Sequence, residues 1–238
     1  MPEKRAVIVI VEGASDMAAI GPMLKEYFTS ADTRFIITRG DITSRDGVTP
    51  TNVIAKLKAE IDKVRNIYGY QWKRDLVRII HIADTDGTFT KDCVVEADVK
   101  SIQYYEDHME SSNVSATNQR NKNKSDVMYK LYSTNKINSI DYRLYFNSCN
   151  LEHVLYNALK DFSDDEKQEM SDDFADKYKG HLPEFISFIS GSNIAVPGTY
   201  KETWKFIEKD LHSLQRHTNM HLIFNSDFSN APSQPTSI

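Results

Sequence analysis

The chain has 238 residues, 40% of them hydrophobic and 26% charged, the balance of an ordinary globular protein with length for one large domain or a domain plus an appendage. A formal net charge of −5 excludes a general polyanion-coating protein, although a local basic groove or bound cations still permit a nucleic-acid substrate. The two cysteines, Cys93 and Cys149, lack metal-ligand spacing and form no disulfide framework, so reduced, buried or half-buried thiols are expected.

The N-terminal apolar run, Ala6 to Val11 (AVIVIV), is too short for a signal-peptide core and ends in Glu12. No other stretch reaches the length of a membrane span, so a cytoplasmic protein is expected. The same β-branched run suits a strand buried on both faces, as in a parallel sheet. EGASD then turns the chain, with Ser15 or Asp16 available to cap a helix running to Tyr27 or Phe28. Gly21-Pro22 inside that segment predicts a kink or a late helix start.

Arg34 to Thr38 reads as a second strand and RGDITSRDGVTP as a loop, its Arg39-Gly40-Asp41 a chance tripeptide. Pro50 leads a helix in which Val53, Leu57, Ile61 and Val64 recur at helical spacing. Leu76 to Ala83 (LVRIIHIA) is a third strand, ended by DTDG, with His81 expected as a satisfied core histidine. The resulting β-α-β-α-β order predicts an α/β fold built on a mostly parallel sheet flanked by helices.

Beyond this core the patterning weakens. Val94 to Met109 predicts a helix, and residues 111–125 (SSNVSATNQRNKNKS) a polar loop, mobile or ordered only on binding. Tyr142 to Phe146 reads as a strand, SCNLEHVLYNALK as a helix after it, and Ser163 to Lys179 as an acidic helix. Tyr200, Trp204, Ile207, Leu211 and Leu214 mark an amphipathic helix, and the tail from Asp227 is disordered by composition. The organisation expected is a core over residues 1–110, the polar loop at 111–125, the rest of the core with a helical C-terminal elaboration at 126–226, and a tail at 227–238.

Two motifs carry chemistry. VIVIVEGASD places Glu12-Gly13 at the end of a buried strand, and IIHIADTDG places Asp84 and Asp86 at the end of another. In open α/β sheets the carboxyl ends of the strands form the binding crevice. Three carboxylates gathered there repel one another unless a cation neutralises them, and the hard ion that accepts few protein ligands and several waters is Mg²⁺, with Mn²⁺ as substitute. Gly13 and Gly87 allow sharp turns and a close backbone approach.

This order, strand-Glu-Gly followed by strand-Asp-x-Asp-Gly, resembles the Toprim domain of topoisomerases, primases, recombination proteins and OLD-type nucleases. The form EGASD, with a second acid at Asp16, is similar to the OLD-type and stand-alone Toprim nucleases of bacterial defence loci. The resemblance implies a Toprim-like fold, a glutamate in acid/base chemistry or metal binding, two aspartates holding Mg²⁺, and an ABC-type ATPase as partner. It covers residues 5–90; SCNLEHVLYN adds Glu152 as a further acid by similarity to an element of small Toprim-like families. The DxDRxGE extension of topoisomerases is absent, which argues against topoisomerase or primase activity.

The expected catalytic residues are therefore Glu12, Asp84 and Asp86, with Asp16 and Glu152 as additional metal ligands whose plainer roles are helix cap and surface acid. Arg120, Lys122 and Lys124 are candidates for nucleic-acid phosphates, against the plainer reading of a solvated loop. Lys201 and Lys205 are candidates for a cation beside a scissile phosphate. The seven histidines show no HxH or HExxH spacing, so zinc is not expected. The function expected is Mg²⁺-dependent cleavage of phosphodiester bonds in nucleic acid, in an anti-phage defence setting. Two alternatives stay open. DTDGTF also matches the opening of haloacid-dehalogenase-type phosphatases, with Asp84 as nucleophile, although no GDxxxD pair follows and Asp172/Asp173 replaces it poorly. The other is a Toprim module that only regulates or binds.

Overall fold

The computed structural model describes residues 5–29, 31–38 and 41–224. The tail expected from Asp227, and Arg39 and Gly40 of the tripeptide, lie outside the described residues. Four parallel strands build the centre: β1 (Ala6–Val11), β2 (Asp32–Ile37), β3 (Leu76–Asp84) and, far along the chain, β8 (Ile140–Asn147). The short β7 (Lys136–Ile137) adds an antiparallel edge, giving the order β2-β1-β3-β8-β7. Asn138 and Ser139 join β7 to β8 with φ of 47° and 73°, the left-handed pair that a two-residue hairpin needs to match strand twist.

Strand alternation decides which layer each side chain joins. Ala6, Ile8 and Ile10 of β1, Ile79 of β3 and Tyr142, Leu144 and Phe146 of β8 face one core. Over that face lie α2 (Val53–Tyr68), α4 (Val114–Tyr132) and α8 (Tyr200–Ile207), through Leu57, Ile61, Leu131 and Trp204. Val7, Val9, Val11, Ile80, Ile82 and Tyr145 face the other core. There α1 (Ala14–Tyr27), α5 (Leu151–Tyr156), α6 (Asp164–Tyr178) and α7 (Leu182–Ile189) contribute Ile20, Leu24, Phe174, Phe185 and Ile189. The result is a three-layer α/β/α unit, and each fully buried aliphatic chain contributes about 1.5–3 kcal/mol.

Several expectations are corrected. Helix α1 begins at Ala14, well before Pro22, so there is no late start; Asp16 caps it by accepting the Gly13 N–H at 2.9 Å. Residues 94–109 are not helical. They hold β4 (Val94–Glu96), β5 (Gln103–Tyr104) and the start of β6 (Met109–Ser111), a small sheet ordered β4-β6-β5. Met109 there packs with Cys93 and Leu214 in a separate apolar cluster.

The polar loop expected at 111–125 is instead, from Val114 onward, part of the 19-residue helix α4, capped by the Asn113 side chain accepting from the Ala116 N–H at 3.0 Å. Its buried stripe runs Thr117, Asn121, Lys124, Met128, Leu131. The spacing is helical but the first three members are polar: Thr117 meets the Ser111 hydroxyl at 2.7 Å, Asn121 lies against Met109, and Lys124 faces Asp41 and Asp86.

Helix α8 stops at Ile207 rather than reaching Leu214. The chain turns through Asp210, at φ 48°, and delivers Leu211 and Leu214 to the Met109 cluster. Cys93 and Cys149 are both buried and free, and His81 is buried with its Nδ1 2.8 Å from the Tyr142 hydroxyl. No described helix is long and apolar enough to cross a membrane.

Candidate functional site

The carboxyl ends of β2, β1, β3 and β8 share one edge of the sheet, and the acids sit there. Glu12 follows the last residue of β1; its Oε1 accepts the backbone N–H of Asp84 at 3.0 Å, which ties the two motifs together. Asp84 ends β3 opposite Asn147 of β8, whose amide donates to Asp84 Oδ1 at 3.1 Å. The turn after Asp84 is clamped from several sides. The Thr85 and Asp86 N–H groups donate to the carbonyls of Asn147 and Cys149 at 2.9 and 2.8 Å. The Thr85 hydroxyl donates to the Ser213 carbonyl at 2.9 Å, and the Thr88 hydroxyl to that of Asn121 at 2.5 Å. Asp86 and Gly87 take φ of 47° and 64°, and a Cβ on Gly87 would lie 2.5 Å from Leu214 Cδ2, so glycine is required there on both counts.

Two members of this cluster differ from expectation. Asp41, in the tripeptide taken as chance, accepts from Lys124 Nζ at 2.5 Å and from the Thr43 N–H and hydroxyl at 2.7 and 2.5 Å. Lys124, expected to meet phosphates, has a side chain 0% exposed and also donates to Asp86 Oδ2 at 2.6 Å. It is an internal counter-ion. Arg120 likewise points inward, donating to the Asp86 carbonyl at 3.1 Å and the Tyr104 hydroxyl at 2.9 Å. Only Lys122 of the three is exposed, in an ion pair with Asp126 at 2.7 Å.

Asp16 and Glu152 form the other flank. Glu152 is buried, not a surface acid, and its Oε1 lies 3.1 Å from Lys167 Nζ. Sequence signals for Asp41 and Lys124 existed: Asp41 follows the end of a parallel strand, and Lys124 falls on the stripe at 117, 121, 124, 128 and 131. Neither signal says which acid the lysine meets.

The electrostatics follow from burial and crowding. Burial, then Asp41 and Asp84, pushes the Glu12 carboxyl well above the ordinary range. Burial, with Asp16, Asp86 and Glu152 nearby, does the same to Asp84. Burial and Glu152 raise Asp16 to about 6. Burial also works against ionised Asp41, but the Lys124 ion pair and the Thr43 hydrogen bonds outweigh it and hold its carboxyl down at about 2. Burial opposes the charge on Lys124 too, and Asp41, Asp86 and Glu12 overcome it, so its ammonium is held firmly charged.

Among the described residues, no three His, Cys, Asp or Glu side chains are grouped to hold a metal ion. Glu12, Asp84 and Asp86 adjoin, but Glu12 faces a backbone N–H, Asp84 an amide and Asp86 a lysine. No protein-family model matches the sequence, and neither a curated protein nor a solved structure matches the chain.

Proposed function

We propose that this chain is a Toprim-type, Mg²⁺- or Mn²⁺-dependent nuclease acting on phosphodiester bonds. The observation that carries the reading is the hydrogen bond from the Asp84 N–H to Glu12, which joins the two motifs within one half-buried group of carboxylates at the sheet's carboxyl edge. The donor set suits a hard divalent cation. It consists of carboxylate oxygens, and half-buried Asp84 accepts from the Asn147 amide against the field of Asp16, Asp86 and Glu152.

Asp84 and Asp86 would hold the ion, with Glu12 in its first or second shell and Asp16 and Glu152 completing the flank. A bound cation would supply charge neutralisation and polarisation of the phosphodiester. Glu12, its proton affinity raised by burial and by Asp41 and Asp84, is suited to accept a proton from the attacking nucleophile. Lys124 holds Asp86 and Asp41 in place. A partner ABC-type ATPase belongs to the same proposal and rests on the resemblance alone.

The test is cleavage of a polynucleotide and of a small phosphomonoester by the parent, Glu12→Gln and Asp84→Asn/Asp86→Asn, with and without Mg²⁺ or Mn²⁺. Cation-dependent polynucleotide cleavage that falls on the order of a hundredfold or more in Glu12→Gln supports the proposal. Monoester hydrolysis that survives Glu12→Gln, with no polynucleotide cleavage by the parent, transfers the assignment to a phosphatase with Asp84 as nucleophile.

A further inference from the structure

A cleft of about 650 Å³ opens beside the loop that carries Asp86, and the acids described above do not line it. Its walls come from three separate stretches of chain. Lys91 lies in the connection after β3, Lys122 on α4, and Lys205 and Lys209 on α8 and the turn that follows it. All four lysines are exposed. Lys122 is paired with Asp126, both largely in solvent, where such a pair is worth little and is readily exchanged. None of Lys91, Lys205 and Lys209 is ion-paired among the described residues. Against them the cleft sets two acids, Asp92 and Glu208, and partial burial pushes the Glu208 carboxyl upward. A chain of net charge −5 thus gathers an excess of positive charge in one concavity.

The same cleft holds Tyr129, 40% exposed. Its ring is buttressed edge-on by Phe89, centroids 5.6 Å apart, and Phe89 in turn meets buried Trp204 at 6.3 Å. A backed aromatic ring among exposed lysines is the arrangement by which proteins hold single-stranded nucleic acid, stacking on a base and neutralising phosphates without reading sequence. An unpaired base is required for that contact, since in a duplex both faces are already stacked.

The cleft is joined to the acid cluster by short links. Thr88, two residues beyond Asp86, lines the cleft and donates to the Asn121 carbonyl. Arg120, next to Asn121, donates to the Asp86 carbonyl. We infer that this cleft binds a single polynucleotide strand, with Lys91, Lys122, Lys205 and Lys209 on its phosphates and Tyr129 stacked on a base, and so leads the strand to the carboxylates. The inference rests on the proposed nuclease reading for its purpose but not for its test.

The test is fluorescence anisotropy with labelled single strands of about 12 nucleotides, DNA and RNA of one sequence, titrated in EDTA over a range of salt. The variants are Lys91→Ala/Lys205→Ala/Lys209→Ala, Tyr129→Ala, and a control with the same charge change elsewhere, Lys63→Ala/Lys136→Ala/Lys177→Ala. The cleft triple variant is expected to bind at least about tenfold more weakly, with a log–log salt slope shallower by about 2, at roughly 0.7 per lost phosphate contact. Tyr129→Ala is expected to weaken binding by roughly five- to a hundredfold at unchanged slope. The control triple should match the parent.

Equal losses in the two triple variants, no binding by the parent, or a duplex held as tightly as the single strand would each overturn the inference. Binding that follows the expected pattern without any cleavage leaves the cleft standing and removes the nuclease reading. Cleavage by a protein whose binding ignores the cleft lysines does the reverse.

Discussion

Replacing Lys124 with methionine removes the ammonium that bridges Asp41 and Asp86 while keeping most of the side-chain volume. The lysine is 0% exposed, its partners 10% and 21%, at 2.5 and 2.6 Å. Removing one partner of a buried charge group costs about 3–5 kcal/mol, because the remaining charges stay desolvated without compensation. Part of that cost is relieved when Asp41, no longer held down by Lys124, takes up a proton. In a chain of this length each kcal/mol is worth about 2–4 °C, so the melting temperature should fall by about 6–20 °C in EDTA at neutral pH.

Lys122→Met, on the exposed side of the same helix and 67% exposed, should change stability by less than about 1 kcal/mol. Adding Asp41→Asn to Lys124→Met should recover stability, since it removes one of the stranded charges. Urea and thermal unfolding of the parent and the three variants supply the measurements. If the proposed cation binds among these carboxylates, Mg²⁺ or Mn²⁺ should raise the melting temperature of Lys124→Met more than that of the parent, the variant gaining about 2.7 kcal/mol at a hundred times its own Kd. A Lys124→Met protein within about 1 kcal/mol of the parent would falsify the view of Lys124 as the internal counter-ion.

Gly87→Ala should destabilise by more than about 1 kcal/mol, because its φ is 64° and its Cβ would meet Leu214 at 2.5 Å; Gly47→Ala, at φ 71° in open space, should cost only the backbone strain. Comparing the two by urea unfolding isolates the steric part, and equal losses would dismiss the Leu214 clash. Burial lowers His81 to about 4 from its ordinary 6.5, so its neutral form belongs to the folded state. The stability it contributes is complete above about pH 6.5 and lost as pH falls toward 4, up to about 3 kcal/mol. The difference in unfolding free energy between parent and His81→Asn should therefore change across that window, and a pH-independent difference would rule the histidine out.

The centre of the fold was legible because its determinants are local. AVIVIV, short and β-branched, suits a strand buried on both faces, and DTDG suits the end of the run before it, so Glu12, Asp84 and Asp86 could be placed at strand ends without a neighbour in view. The acidic helix α6 was equally plain, with Ser163 and Glu166 making a reciprocal cap. Elsewhere the pattern depended on what lay opposite. Helix α4 looked like a loop because half of its buried stripe is polar: Thr117 and Asn121 are covered by Ser111 and Met109 of the small sheet, and Lys124 by acids 38 and 83 residues away in sequence. Residues 94–109 became short strands, and α8 ended early, because Met109, Cys93 and Leu214 meet in a third cluster that no local period announces. Chain order and strand ends were therefore determined by side-chain periodicity and backbone sterics, which act between neighbours. Whether Lys124 serves as a surface cation or an internal counter-ion was decided by charges brought within hydrogen-bond range only when the chain closed on itself, since in the extended chain water separates them.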